Sequence, residues 1–355
     1  LRTYSDELMK KDAHIFPIKD ALMYVDSRPL GNRGKSSQGE SFYNAENPPL
    51  GAVFTFLMTD TLRTLKETRQ KQEKKLKKAG TAIPFPSPAE IRVEDNEEKP
   101  YLLFTVRDEK GNVVRKIKSE TKNGINRVVW DFRYTATTPI KLKEDKVSRY
   151  SEASSGPLAL PGNYTVSMSK SVNGVISELV EPQKFVCVKL NNTSLPAKDN
   201  AELLNFENQV NELRRAVLAT RKVKSESDNR LAHIKIAVRS APEVPIEMME
   251  QIKTLEKELL EITLKLNGDH SLRKREFEIP SSISDRVEII IWSMWRATTA
   301  PTQTNRDGYR IAAEEFGPLL EELKGVVSKI DAIEEKLEDF KAPFTPGRIP
   351  TWNNE

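Results

Sequence analysis

The chain has 355 residues, which at roughly one domain per 150 residues predicts two or three domains. Its hydrophobic fraction is 37% and its charged fraction is 30%, so we expect modest cores beneath a heavily solvated surface. A net charge of +4 over this length is too small to imply nucleic-acid binding, because phosphate-binding domains concentrate Lys and Arg on one face.

The first part of the chain is predicted to be an extended N-terminal arm. Residues 1–51 have little hydrophobic periodicity and many glycines and prolines. Ala52 to Met58 is rich in β-branched and aromatic residues and predicts the first strand. The composition then changes to Lys, Glu, Gln and Arg, which predicts a solvated helical insert near 61–78. Its few leucines form too narrow a face for a helix that lies on a membrane surface.

Short strands with turn residues between them are predicted up to about residue 192. Ile91 and Val93 alternate with charged residues, as in a strand, and the alternation resumes from Leu102 to Val106. Short strands at regular spacing are typical of an immunoglobulin-like antiparallel β-sandwich, which we predict over residues 52–192.

Two turn-initiated strands between Gly124 and Val166 are the most distinctive part of this region. One follows Asn123-Gly124 and continues through Trp130, and the other follows Pro161-Gly162-Asn163. Because both are entered through turn residues, we predict that they are neighbouring strands of the sandwich.

Four residues of these strands form the predicted structural signature. Alternation places Trp130 toward the core, with Asp131 and Arg133 together on the other face. Asp131 and Arg133 are the candidates for contact with an adjacent strand or with the neighbouring domain. Tyr164 belongs to the second strand of the signature.

Beyond residue 197 the apolar spacing changes to alternating steps of three and four. This spacing predicts an antiparallel helical bundle over residues 198–342, with Asp199 or Asn200 as the first helix cap, followed by a tail at 343–355. The longest apolar run, Val287 to Trp295, is far shorter than the ~20 residues of a membrane span. We therefore predict no membrane-spanning segment and, together with the two-step alternation before residue 192, an α+β chain.

No catalytic, cofactor-binding or metal-binding constellation is visible in the sequence. Cys187 is the only cysteine, and its place in an apolar strand predicts a buried core residue. His14, His233 and His270 are too far apart in the chain to share a local metal site. We predict no catalytic residue, no cofactor and no metal.

Two alternatives to a purely structural role remain open. Aromatic side chains that stack on sugar rings would make the chain a carbohydrate-binding module. The candidates are Tyr24, Tyr43, Tyr150 and Trp352. Alternatively, the last helix would mediate coiled-coil-like self-association.

Several motifs resemble one bacterial family when they are taken together. They are Asn47 to Ala52, Asp108 to Arg115, Gly124 to Arg133, Gly156-Pro157, Leu160 to Val166 and Ala300-Pro301-Thr302. In this order they resemble the C-terminal region of sortilin-like β-propeller proteins, which are often labelled glycosyl hydrolases with BNR- or YVTN-type repeats. The resemblance extends from about Asp12 to Phe340, and no repeat of blade length is present, so the propeller itself is absent.

The resemblance implies an extracytoplasmic protein, located in the periplasm, on the outer membrane surface or outside the cell. Its implied partner is the N-terminal propeller of the same full-length protein or another cell-envelope protein. The hydrolase label would belong to the propeller. We therefore expect a non-catalytic scaffold or protein-interaction region, and the alternative is a carbohydrate-binding or glycoside-hydrolase accessory module.

Overall fold

The computed structural model describes residues 5, 7–24, 48–142, 156–190, 195–295 and 297–352. Strands and helices both contribute extensively, so the chain is α+β. It divides into a β unit, made of residues 1–135 and 158–194, and a helical unit, made of residues 136–157 and 195–355.

The described part of the β unit contains eight strands in two sheets. They are β1 (Ala13–Ile15), β2 (Ala21–Met23), β3 (Ala52–Met58), β4 (Tyr101–Asp108), β5 (Val113–Ser119), β6 (Gly124–Trp130), β7 (Gly162–Val172) and β8 (Val175–Lys189). The three-stranded sheet has the order β1-β3-β6, and the five-stranded sheet has the order β2-β8-β7-β4-β5. Neighbouring strands are antiparallel, except that β2 runs parallel to β8.

The two sheets share one hydrophobic core because alternate side chains of their strands point inward. Phe54 and Phe56 of β3 are fully buried. The ring of Phe56 lies 4.9 Å from that of Phe104 on β4, and the ring of Phe54 lies 5.2 Å from that of Phe185 on β8. These aromatic pairs join residues of the two sheets.

The prediction that the strands around Trp130 and Tyr164 are neighbours is wrong. Trp130 ends β6 in the three-stranded sheet, whereas Tyr164 lies on β7 in the five-stranded sheet. The turn residues that precede each strand mark its start but contain no information about its partner. The two rings instead pack across the core, with centroids 5.1 Å apart.

A helical hairpin connects β3 to β4. Its helices are α1 (Leu65–Lys78) and α2 (Pro88–Asp95), and neither contains a buried residue. Each begins with a reciprocal capping box, made by Thr64 in α1 and by Ser87 in α2. The strand predicted at Ile91 and Val93 is therefore wrong, because the cap at Ser87 and a proline at the first helical position favour a helix.

The described part of the helical unit contains two long helices and three shorter ones. They are α3 (Asn200–Ser240), α4 (Met248–Asn267), α5 (His270–Arg273), α6 (Ile283–Met294) and α7 (Gln303–Asp339). Asp199 caps α3 by accepting hydrogen bonds from the amides of Ala201 and Glu202, as the sequence predicts.

The two long helices run side by side in the same direction. Arg306 of α7 contacts Glu202 of α3 at 2.8 Å, and Arg230 of α3 contacts Glu334 of α7 at 2.6 Å. Both pairs are separated by 104 residues, so the register between the helices is constant along their length.

Two of the three shorter helices, α4 and α6, run antiparallel to the long pair. On α4, Glu258 contacts Lys329 of α7, and further along α4 Lys265 contacts Glu322, which lies earlier in α7. On α6, Ile290 lies beside Gly308 of α7, and further along α6 Ser293 binds Asn305, which lies earlier in α7. Glu288 of α6 contacts Arg214 of α3, whereas α4 contacts α3 at Lys235, so α4 and α6 pack against different halves of the long helices. One core of apolar residues joins all four helices.

Candidate functional site

Trp130 and Tyr164, the two aromatic residues of the predicted signature, are buried in the β unit. Trp130 has no exposed surface, and its Nε1 donates a hydrogen bond to the carbonyl of Arg133 at 2.9 Å. Tyr164 donates its hydroxyl to the carbonyl of Leu160 at 2.5 Å, and burial raises its pKa above the ordinary value. Neither ring is available to a ligand, so both are packing residues here.

Asp131 and Arg133 close a tight turn after β6. Asp131 Oδ1 accepts a hydrogen bond from the amide of Arg133 at 3.1 Å, and Phe132 between them adopts a left-handed backbone with φ of 60°. The strand ends at Trp130, so the two side chains do not extend from one continuous strand as the alternation predicts. Their contact with the neighbouring domain stays a prediction.

Two of the four aromatic residues proposed for sugar stacking are described, one in each unit. Tyr24 is half-buried beside β2, and Trp352 is 79% exposed in the helical unit, near the end of the chain. Tyr43 and Tyr150 lie outside the described residues. Their role in sugar stacking stays a prediction.

Within the described residues, no group of three or more His, Cys, Asp or Glu side chains is arranged to hold a metal ion. The described helices also include none that is long and apolar enough to cross a bilayer.

Cys187 lies in the core of the β unit, where burial raises the pKa of its thiol to about 12. At neutral pH the thiol is therefore protonated and a poor nucleophile. We expect Ellman's reagent to label Cys187 at least about a hundredfold more slowly in the native protein than in denaturant. Equal labelling rates would contradict the core position.

An open groove lies between α3 and α7 in the helical unit. Its volume is about 500 Å³. The lining residues are Arg215, Ala216, Ala219, Thr220, Val223, Leu320, Leu323, Lys324, Val327, Ser328 and Asp331. A shallower pocket between α3 and Tyr309 of α7 shares Ala216 with it and continues it toward Asn208. We call the two together the α3–α7 groove.

The apolar floor of the groove arises because α7 has more apolar surface than the bundle covers. Its fully buried stripe includes Phe316, Leu323 and Ile330. A second stripe, at Ala313, Leu320 and Val327, recurs every seven residues and packs against the core only in part. Such spacing is typical of a helix that packs against a further helix.

The opposite wall on α3 has small side chains at its centre. Ala216 is half-buried, Ala219 is exposed, and the adjacent Thr220 is buried. Small residues let the backbone of a second helix approach closely at this point. The two walls therefore define a groove that suits a helix.

Charged residues occupy the rim of the groove. Arg215 binds Glu212 at 2.6 Å, and this hydrogen bond lowers the pKa of the Glu212 carboxyl, so the pair stays ionised at neutral pH. Lys324 extends from the facing helix and binds Glu321 of the same helix at 2.6 Å. The carboxylate of Asp331 is bound by Arg230. Each of these charged groups of the rim therefore has a partner of opposite charge within the protein.

The apolar spacing of three and four predicts the helical bundle but not the groove. The signal that was available is the seven-residue recurrence of Ala313, Leu320 and Val327, which widens the apolar face of α7. The sequence does not show that the alanines of α3 lie opposite this apolar face, because the register between the two helices is known only from the structure.

No family model matches the chain, and neither the curated proteins nor the solved structures include a significant match to it.

Proposed function

We propose that the chain is a non-catalytic protein-interaction region whose α3–α7 groove binds an amphipathic helix of a partner protein. The observation that carries this proposal is the apolar groove itself, which runs between two long helices and is open along one side. Helix-in-groove binding uses an apolar stripe on the ligand and a groove of this kind on the receptor.

The dimensions and apolar floor of the groove favour one kind of ligand. The groove follows α3 from Asn208 to Val223, which at 1.5 Å per residue is about 22 Å, or four helical turns. Arg215 and Lys324 lie on opposite walls, and each is paired with a carboxylate of its own helix, so the groove selects mainly through its apolar floor. The preferred partner is therefore a helix of about four turns with an apolar stripe.

The groove can be tested with a designed peptide and one substitution. The probe is a fluorescently labelled amphipathic helix with leucines along one face and flanking glutamates, and binding is followed by anisotropy. We expect Ala219→Glu to weaken binding at least about tenfold, because it places a charge in the apolar groove and repels the glutamates of the probe.

A matched control variant separates this effect from a general effect of added charge. Ala232→Glu makes the same change at another exposed position of α3, rotated about 140° from Ala219. It should leave affinity within about twofold, since surface substitutions away from a site have small effects. Equal losses in both variants, or equal binding of a peptide of scrambled sequence, would contradict the proposal.

We further propose that the β unit is an immunoglobulin-like sandwich. The order β1-β3-β6 corresponds to strands A, B and E of that fold, and β8-β7-β4-β5 corresponds to G, F, C and C′. The hydrogen bond from Tyr164 to Leu160 supports the assignment, because strand F of such domains carries a corner tyrosine that binds the upstream backbone. A crystal structure that pairs β6 with β7 in one sheet would contradict it.

Only the sequence resemblance indicates which protein the partner helix belongs to. We propose that the partner helix belongs to a cell-envelope protein or to the propeller of the same sortilin-like protein. Fractionation of the source cells tests the compartment, and recovery of the chain only in the cytoplasmic fraction would contradict it. Carbohydrate binding stays a prediction without a structural observation in its favour.

A further inference from the structure

The helical hairpin of α1 and α2 has one closed end and one free end. Arg69 in α1 makes paired hydrogen bonds of 2.6 and 2.7 Å to Glu94 in α2, and the amide of Leu65 donates to Glu97 at 2.6 Å. These contacts join the start of α1 to the end of α2 and the residue beyond it. The end of α1 and the loop before α2 therefore lie together at the other end of the hairpin.

The free end carries a concentrated positive charge. Residues 74–89 contain four lysines and no carboxylate. The lysines are Lys74, Lys75, Lys77 and Lys78, and all four are exposed. Among the described residues, no carboxylate lies within ion-pair distance of these four, in contrast to Arg69 at the closed end.

Two apolar side chains extend from the same end. Phe85 is 92% exposed and Ile83 is 47% exposed. Both lie in the segment Ile83-Pro84-Phe85-Pro86, in which the prolines restrict the backbone. Because the loop loses little conformational freedom on binding, inserting these side chains into an apolar medium has a small entropic cost.

We propose that this end of the hairpin, residues 74–87, binds an anionic phospholipid surface. The lysines are attracted to the negative surface, and Ile83 and Phe85 insert at the boundary between headgroups and acyl chains. The apolar contribution comes from the loop and not from a face of α1. This inference concerns the β unit and is independent of the α3–α7 groove.

The composition of the segment favours lipid over nucleic acid. All of its cations are lysines, whose compact ammonium groups act as point charges, and it contains no arginine to form forked hydrogen bonds to phosphates and bases. An exposed aliphatic residue beside the aromatic one contributes to insertion in a bilayer but offers nothing for base stacking.

The test is co-sedimentation of the full chain with vesicles. We expect binding to vesicles of phosphatidylcholine mixed with phosphatidylglycerol, weaker binding at high salt, and little binding to phosphatidylcholine alone. Lys77→Gln combined with Lys78→Gln should weaken binding about tenfold or more. The matched control replaces the exposed Lys253 and Lys257 of α4 with glutamine and should change binding less than about twofold.

The insertion of Phe85 into the bilayer is tested separately from the attraction of the lysines to its surface. Phe85→Ser should weaken vesicle binding about fivefold or more, whereas Phe277→Ser, at a phenylalanine that is 60% exposed in the helical unit, should not. Thermal unfolding of each variant confirms that the fold is retained. No binding to anionic vesicles, equal losses in the lysine controls, or full binding by Phe85→Ser would overturn the proposal. Tighter binding to a single-stranded oligonucleotide than to the vesicles would overturn it in favour of nucleic acid.

Discussion

Replacing Trp130 with alanine is expected to lower the free energy of unfolding of the β unit by about 3–5 kcal/mol. The side chain is fully buried, and its ring lies 5.1 Å from Tyr164 and 6.1 Å from Phe185, measured between centroids. The substitution leaves a large cavity between the two sheets. It also removes the donor to the carbonyl of Arg133, which loses a hydrogen bond inside the structure.

The matched control is Trp352→Ala, the same change at a tryptophan that is 79% exposed. It should alter stability by less than about 0.5 kcal/mol. A chain with two units need not unfold in one step, so the unfolding of the β unit must be followed by itself. Hydrogen exchange of the β3 and β7 amides, measured across a denaturant titration, reports on that unit. A near-neutral effect of Trp130→Ala would contradict its packing role and indicate an exposed binding surface.

Gly51→Ala is expected to have the second large effect, a loss of about 3 kcal/mol or more. Gly51 has φ of +139°, a conformation that side-chain-bearing residues rarely adopt. An added Cβ would lie 2.2 Å from the carbonyl oxygen of Trp130 and 2.6 Å from Cγ1 of Val129. The first of these atoms belongs to the backbone of β6, so the strand itself would have to move.

Gly80→Ala isolates the contribution of backbone conformation. Gly80 also has a positive φ, +68°, but no atom lies within 4 Å of its added Cβ. We expect it to cost only about 1–2 kcal/mol, the strain of the left-handed conformation. Thermal unfolding of both variants gives the comparison. If Gly51→Ala were no more destabilising than Gly80→Ala, the close approach of the Gly51 backbone to Trp130 would be contradicted.

The sequence predicts most individual elements of this chain because local patterns determine them. Two-residue alternation identifies β3 and β4, and Asp199 is recognisable as the cap of α3 before the spacing of three and four begins. The exception is α2, where two large apolar residues in eight are too few to distinguish a strand from a helix, and the cap at Ser87 is the better signal.

The same local patterns do not predict which distant strands or helices pair with one another. Turn residues locate the starts of β6 and β7 but do not reveal that the strands belong to different sheets. The α3–α7 groove depends on a register of 104 residues between two parallel helices, and this register is fixed by contacts such as that of Arg230 with Glu334. A candidate site that depends on such pairing appears only when the tertiary structure is known.

Photo-crosslinking shows directly whether the α3–α7 groove binds a helix. The amphipathic probe peptide carries a benzophenone in its apolar stripe, and cross-linked fragments are identified by mass spectrometry. We expect saturable cross-links confined to residues 208–223 of α3 and 309–331 of α7. Cross-links spread over the helical unit, cross-links concentrated in the β unit, or no saturable cross-linking would contradict it.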